Sequence, residues 1–320
     1  MRESERQEEN KIESSNLMDR WRNTIQLTDC VVAMSRLGPR SADLIIADPP
    51  YNLSKGGHWS WDNAVDLPGF GGKWKKTAEN WDSMSFEAYY GFTERWIAQA
   101  KRILKPTGSI WVYGTYHNLG IVNVIFQRLG IEIINEIIWY KRNSFPNLSG
   151  RRFTASHESI LWAHVGGRKR EYYFNYEAMK NSNFPEDGLK KTGKQMRTVW
   201  DIPNNKNDVE RRFGTHPTQK PIRLCQRMII ASSRPGDLVL APFAGTGSEC
   251  VAAKLLGRDF MGFEIEPKYY EIAQARLLDA QSEVEQLSFG LESFSLNEIG
   301  EHKRVGDTSP QRLQAKLIEN

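Results

Sequence analysis

A run of strand-forming residues that halts on an acid and two prolines constrains this chain more than any other feature: Leu44-Ile45-Ile46-Ala47-Asp48-Pro49-Pro50-Tyr51. Four apolar residues in a row read as a buried parallel strand, and neither proline has an N–H with which to carry a ladder further. The strand therefore delivers Asp48 to its carboxyl end, the edge at which open α/β sheets bind ligands. Asp48 offers two acceptor oxygens, the Pro49 carbonyl offers another, and Tyr51 offers a flat apolar face. Acceptors converging beside an aromatic ring suit a planar group with an exocyclic amine, whose two N–H bonds they hold while the ring stacks on its face. The same residues also fit a plainer role, an acid capping the next turn with Tyr51 as packing.

Strand and helix patterns alternate along the rest of the chain. Thr24 to Leu27 has strand character and leads through Asp29 into helical spacing from Cys30 to Leu37, so Asp29 stands at a junction where a helix N-cap is its simplest role. Phe86 to Leu104 is an amphipathic helix stopped by Pro106 and Gly108. Strand (Ser109 to Tyr113), helix (Ile121 to Leu129), extended segment (Ile131 to Tyr140) and strand (Ser159 to Ala163) follow, and such repetition predicts a doubly wound parallel sheet. Asp237 to Ala241 is a further strand, followed by the turn Pro242-Phe243-Ala244-Gly245-Thr246-Gly247-Ser248 and a helix from Glu249 to Leu256. A glycine turn that opens a helix presents backbone N–H groups and a dipole to the polar end of a nucleoside ligand. The next strand, Asp259 to Phe263, ends on Glu264, a carboxylate placed to accept both ribose hydroxyls. Cys250 stands where the dinucleotide fingerprint has its third glycine, which argues against a nicotinamide or flavin cofactor. Pro267 starts a last amphipathic helix.

Two long stretches break the pattern. Leu53 to Met84 is rich in glycine and tryptophan; coming directly after Tyr51, it suits a flap over the substrate better than a disordered insertion. Gly166 to Gly214 is basic and aromatic, as expected of a target-reading region or an ordinary surface excursion. Lysine and arginine supply phosphate contacts and aromatic faces stack on unpaired bases, which makes Lys73, Lys75, Lys76, Arg168, Lys169, Arg170, Lys190, Lys191 and Arg197 candidate nucleic-acid contacts. A net charge of +4 permits a nucleic-acid partner without requiring one. Three distant cysteines and six histidines without ligand spacing argue for reduced thiols and no metal. The polar N-terminus and the lack of a membrane-length apolar run predict a soluble cytoplasmic protein. Residues 1–17 read as a flexible lead-in, 18–280 as one domain with 166–215 inserted for target recognition, and 281–320 as a tail without assigned role.

Four motifs in this order resemble the β-group of DNA amino-methyltransferases, in which the catalytic motif precedes the cofactor loop: Asp48 to Tyr51, Ile137 to Asn143 with Pro146-Asn147, His216-Pro217-Thr218-Gln219-Lys220-Pro221, and Pro242 to Gly247. The resemblance spans Asp29 to Leu278. It implies a Rossmann-like, mostly parallel sheet of seven strands and methyl transfer from S-adenosylmethionine to adenine N6 or cytosine N4 of a flipped base in DNA. Asp48, Pro49, Pro50 and Tyr51 would be catalytic. Asp29 would lie near the cofactor adenine, His216, Thr218 and Lys220 beside its methionine end, Phe243, Gly245, Thr246 and Gly247 around methionine and ribose, and Glu264 on the ribose, with Asp48 also counted among the cofactor-binding residues. From sequence alone, Pro217 or Thr218 could also start a helix running to Ile230. Members of this kind modify DNA in restriction systems of prokaryotes and phages, which implies a cognate endonuclease and allows a homodimer. The acid at Asp48 favours adenine, because cytosine enzymes more often carry serine there. One departure is Ala241, where the family commonly has Asp. Losing a charge-assisted hydrogen bond to the cofactor costs roughly 1.5–3 kcal/mol, or about ten- to a hundred-fold in affinity, and motivates a catalytically weak DNA-binding relative as the alternative.

Overall fold

The computed structural model describes residues 14–52, 84–144, 146, 151–167, 170–204, 208–214, 216 and 218–281. The expected flap, Lys73, Lys75, Lys76, Arg168, Lys169 and Pro217 lie outside the described residues, as does the tail beyond 281. In chain order the elements are α1 (14–21), β1 (Thr24–Leu27), α2 (Cys30–Arg36), β2 (Ala42–Ala47), α3 (Phe86–Ile103), β3 (Leu104–Gly114), α4 (Leu119–Arg128), β4 (Glu132–Tyr140) and β5 (His157–His164). Then come α5 (Tyr176–Asn181), β6 (Val199–Asp201), α6 (Asp208–Arg211), α7 (Ile222–Ser232), β7 (Leu238–Ala241), α8 (Ser248–Leu255), β8 (Asp259–Glu264) and α9 (267–281). None of the described helices is long and apolar enough to cross a membrane.

One mixed sheet runs β1-β8-β7-β2-β3-β5-β4-β6. Every pairing is parallel except those of β5, which lies antiparallel to β3 and β4. Side chains alternate faces along β2. Leu44 and Ile46 join the core under α7 and α8, while Ile45 and Ala47 join the core shared with α2, α3 and α4. Both faces are thus covered, which is why β2 is apolar throughout.

Among the described residues the sheet has eight strands, not seven. The additional one is the three-residue β6, which pairs with β4 from within the segment that looks irregular in sequence. That segment is tied to the core: Trp200 and Met179 are buried, and Asp187 pairs with Arg227 of α7 at 2.5 Å. β3 begins five residues earlier than its sequence suggests. Pro106 and Gly108 fall in a register shift between β2 and β3, where a Cβ on Gly108 would meet the Asp43 carbonyl at 2.5 Å, so the breakers interrupt the ladder without ending the strand. α1 extends back into the expected lead-in and buries Leu17. α7 starts only after Pro221, so Thr218 and Lys220 precede the helix.

Candidate active site

β2 and β7 are parallel neighbours, with Leu44 opposite Val239 and Ile45 opposite Leu240. Asp48 and the 242–247 turn therefore leave the same edge of the sheet side by side. β8 is next and ends on Glu264; beyond it β1 ends with Leu27 opposite Glu264. Asp29 follows at once and caps α2, accepting a hydrogen bond from the Val32 N–H at 2.9 Å. Asp29, Glu264, the glycine turn and Asp48 thus stand along one edge.

The turn is held open by its backbone. Gly245 and Gly247 both have positive φ, at 51° and 78°. A Cβ on Gly247 would crowd Ala273 and Ile25 at 3.1 Å, whereas one on Gly245 would meet nothing within 4 Å, so Gly245 faces open space. Close packing of α8 on the sheet comes from Gly262 of β8, where a Cβ would lie 2.8 Å from Cys250 Sγ. Arg276 donates to the Thr246 carbonyl (2.6 Å) and its hydroxyl (3.0 Å), pinning Thr246 inward. The Phe243 ring packs edge-on against Trp96 of α3. Glu264 organises the turn as well: Oε2 accepts from the Gly245 N–H at 2.7 Å, and Oε1 accepts from the N–H groups of Ile265 and Glu266. A carboxylate has about four lone-pair positions. Three are filled, so one ribose hydroxyl fits as Glu264 stands, and two would require release of a main-chain donor.

Asp48 sits in a charged network that the sequence does not announce. Its Oδ2 accepts from Lys220 Nζ at 2.7 Å, and its Oδ1 accepts from the Tyr51 hydroxyl at 2.8 Å. Glu158 of β5 also lies 3.1 Å from the Tyr51 hydroxyl, which has one proton for the two carboxylates. Lys141 donates to Glu158 at 2.8 Å, and Lys220 lies 3.7 Å from it. Burial raises the Asp48 pKa above the ordinary carboxylate value despite the opposing charge of Lys220. Burial acts the same way on Glu158, but Lys220 and Lys141 outweigh it and hold that group lower. For Lys220 the balance reverses: burial would lower it, yet the charges of Asp48 and Glu158 raise it. Lys220 also lies over the rings of Tyr51 (5.3 Å) and Tyr113 (5.0 Å). The Tyr51 tip is therefore pinned and one side of its ring carries an ammonium. The Pro50 carbonyl accepts from the Tyr89 hydroxyl at 2.7 Å. His216 packs edge-on against Tyr269, and burial with the nearby charges of Lys220 and Lys268 pushes its pKa down to about 4, so it is neutral. Its Nδ1 accepts from the N–H of the exposed Thr218.

Glu158 and Lys141 are among the site residues that sequence reasoning gave no role. Lys141 lies inside a recognised motif, but a single charge at the head of the apolar strand β5 carries no signal of its own. The candidate DNA contacts separate. Lys191 and Arg197 are exposed. The Lys190 ammonium donates to three main-chain carbonyls, of Lys180, Lys191 and Lys194, which uses all its donors in holding a turn. Arg170 pairs with Glu132 at the start of β4, at the sheet edge opposite Asp48.

The family model for DNA methylases of the N6/N4 class matches residues 42–275. The chain is 42% identical over 258 residues to the type II methyltransferase M2.DpnII of Streptococcus pneumoniae, covering 80% of this chain and 89% of that relative. It is 41% identical over 251 residues to the type II methyltransferase M2.LlaDCHI of Lactococcus lactis subsp. cremoris, covering 78% and 87%. Its fold resembles the crystal structure of the M1.HpyAVI–SAM complex, with TM-score 0.54 at 24% identity over 79% of this chain and 98% of that one. It also resembles the cytosine-N4-specific PvuII DNA methyltransferase, with TM-score 0.56 at 16% identity over 79% and 85%. Two polar motifs that leave one sheet edge side by side, with a family match across both, have one reading: the chain belongs to the N6/N4 family of DNA methylases.

Proposed function

We propose that this DNA methyltransferase uses S-adenosylmethionine to methylate the N6 amine of adenine, extruded from the DNA helix, as the modification enzyme of a restriction system with a cognate endonuclease. The observation that carries the reading is the side-by-side exit of Asp48 and the glycine turn from β2 and β7. Residues on this edge fit the cofactor: Gly245 faces open space, Glu264 keeps a lone pair for a hydroxyl, and Asp29 stands at the same edge. When bound, the cofactor supplies an electrophilic methyl on a sulfonium, already a good leaving group, so no metal is called for.

The chain's own residues have to position the amine. Asp48 keeps a second lone pair on each oxygen beyond those used by Lys220 and Tyr51, and these with the Pro49 carbonyl hold the two N–H bonds and aim the nitrogen lone pair. The charge of Lys220 opposes the pull of burial and favours the ionised, accepting form of Asp48. An amine inside a duplex cannot reach a strand end this recessed, hence the extrusion. By the family resemblance, the acid at position 48 favours adenine over cytosine. Asp48→Ala should abolish transfer and leave cofactor affinity within about threefold; equal loss of both would remove Asp48 from the amine site. Digestion of treated DNA to nucleosides followed by mass spectrometry should yield N6-methyladenine, and N4-methylcytosine instead would overturn the choice of base.

A further inference from the structure

Glu249 is a carboxylate that the site described above does not use. It lies in the first turn of α8, two residues past Gly247, and is 3% exposed. It forms no ion pair among the described residues. Its side chain meets the Cys225 thiol of α7, with Sγ 3.8 Å from Oε1. That thiol in turn meets the Tyr113 hydroxyl of β3 at 3.6 Å. The charges facing Glu249 are Asp48 at the end of β2, Lys220 ahead of α7 and Arg276 of α9. Lys220 is committed to Asp48 and Glu158. Arg276 gives Nη1 to Thr246 and Ser248, while its Nη2, without a hydrogen-bond partner among the described residues, lies 3.9 Å from Glu210 of α6. β7, the strand that leads into the turn, ends on the uncharged Ala241.

We propose that Glu249 is the counter-ion for the net positive charge of S-adenosylmethionine, and that it lets the site prefer this cofactor over its neutral product S-adenosylhomocysteine. The inference rests on the cofactor reading given above. The cofactor carries a sulfonium, an ammonium and one carboxylate, and transfer of the methyl removes the sulfonium charge. A buried acid in the first turn after the glycine loop, felt by Asp48 and in an ion pair with neither neighbouring cation among the described residues, is complemented by the sulfonium; the product keeps the ammonium and carboxylate but loses that charge. Burial, then the charge of Asp48, raises the Glu249 pKa to about 7. A cation beside it favours the ionised form, so cofactor binding releases a proton from Glu249 to solvent near neutral pH. Affinity for the cofactor therefore rises with pH through about 7, while affinity for the product stays flat.

Isothermal titration of wild type and Glu249→Gln at pH 8 with each ligand tests this. The variant should bind S-adenosylmethionine about tenfold more weakly and S-adenosylhomocysteine within about twofold of wild type. Wild-type affinity for the cofactor should fall about tenfold from pH 8 to pH 6, and that of the variant should not. Equal weakening of both ligands, or no weakening, would reduce Glu249 to packing and overturn the proposal. Should the variant fail to fold, titration of wild type at pH 7 in two buffers of different ionisation enthalpy replaces it. Proton release on binding the cofactor but not the product, persisting in Asp48→Asn when the titration is moved to the lower pH at which Glu249 ionises without that charge, supports Glu249; no release in wild type, or none at any pH in Asp48→Asn, overturns it. A wild type that binds neither ligand would refute the cofactor reading and this inference together, whereas binding with an unchanged preference refutes this inference alone.

Discussion

Replacing Lys220 by methionine tests whether the site is held together by charge. The Lys220 side chain is 2% exposed and its ammonium lies 2.7 Å from Asp48 and 3.7 Å from Glu158. Methionine keeps the length and apolar stem but leaves Asp48 with only the hydroxyl of Tyr51. Removing one partner of a buried ion pair costs about 3–5 kcal/mol, most of it for the charge left behind. For a domain of this size that lowers the Tm by about 6–20 °C. The penalty belongs to the ionised carboxylate and so depends on pH. Without Lys220 the folded-state pKa of Asp48 rises further above its unfolded value, so between the two values the folded protein binds more protons than the unfolded one. Stability of the variant relative to wild type therefore falls as pH rises through that window and recovers as Asp48 protonates. Thermal melts of both proteins at pH 8 and pH 5.5 should show the larger gap at pH 8. In Asp48→Asn/Lys220→Met, with the orphaned charge gone, most of the loss should be restored. A gap under about 1 kcal/mol at pH 8, a gap independent of pH, or a double variant no better than the single one would refute the reasoning.

The two glycines of the turn should respond differently. Gly247→Ala forces a Cβ against Ala273 and Ile25 at positive φ and should lower the melting temperature whether or not cofactor is present; Gly245→Ala has room in the free protein and should fold with a smaller shift while losing cofactor affinity, and a reversed order in melts and titrations would misplace the cradle. Charge removal at Lys191 and Arg197 together should weaken DNA binding and flatten the plot of log affinity against log salt by about one unit for each phosphate no longer neutralised, while Lys190→Met should act on stability instead; unchanged DNA binding in the first variant would move the DNA surface elsewhere.

The parts legible in the sequence are those whose signal is local. β2 and β8 are bounded as their apolar runs and terminal acids suggest, Asp29 caps α2, and the glycine turn opens α8. Pairings between distant segments left no such trace. Glu158 reaches Tyr51 across 107 residues, and its side chain reads as an ordinary charge heading a strand. Periodicity carries no direction, so the reversal of β5 was not visible. β6 has three residues, too few to show a period. Lys190 looked like a surface cation because composition does not tell which way a long apolar stem is laid. The recognised motifs fixed which segments meet, but not that Glu264 arrives with three of its lone pairs already taken.

The pairing of β2 with β7 also bears on how this protein is made. Asp43, beside that pairing, accepts a hydrogen bond from the Leu238 N–H, 195 residues further along the chain. At roughly 5–20 residues per second on the ribosome, β2 spends about 10–40 s with an unsatisfied edge before its partner is synthesised. Until then the nascent chain carries Asp48 without the turn that stands beside it. The two halves of the site thus come together only late in synthesis, and a truncated transcript lacking β7 would yield an aggregation-prone sheet edge.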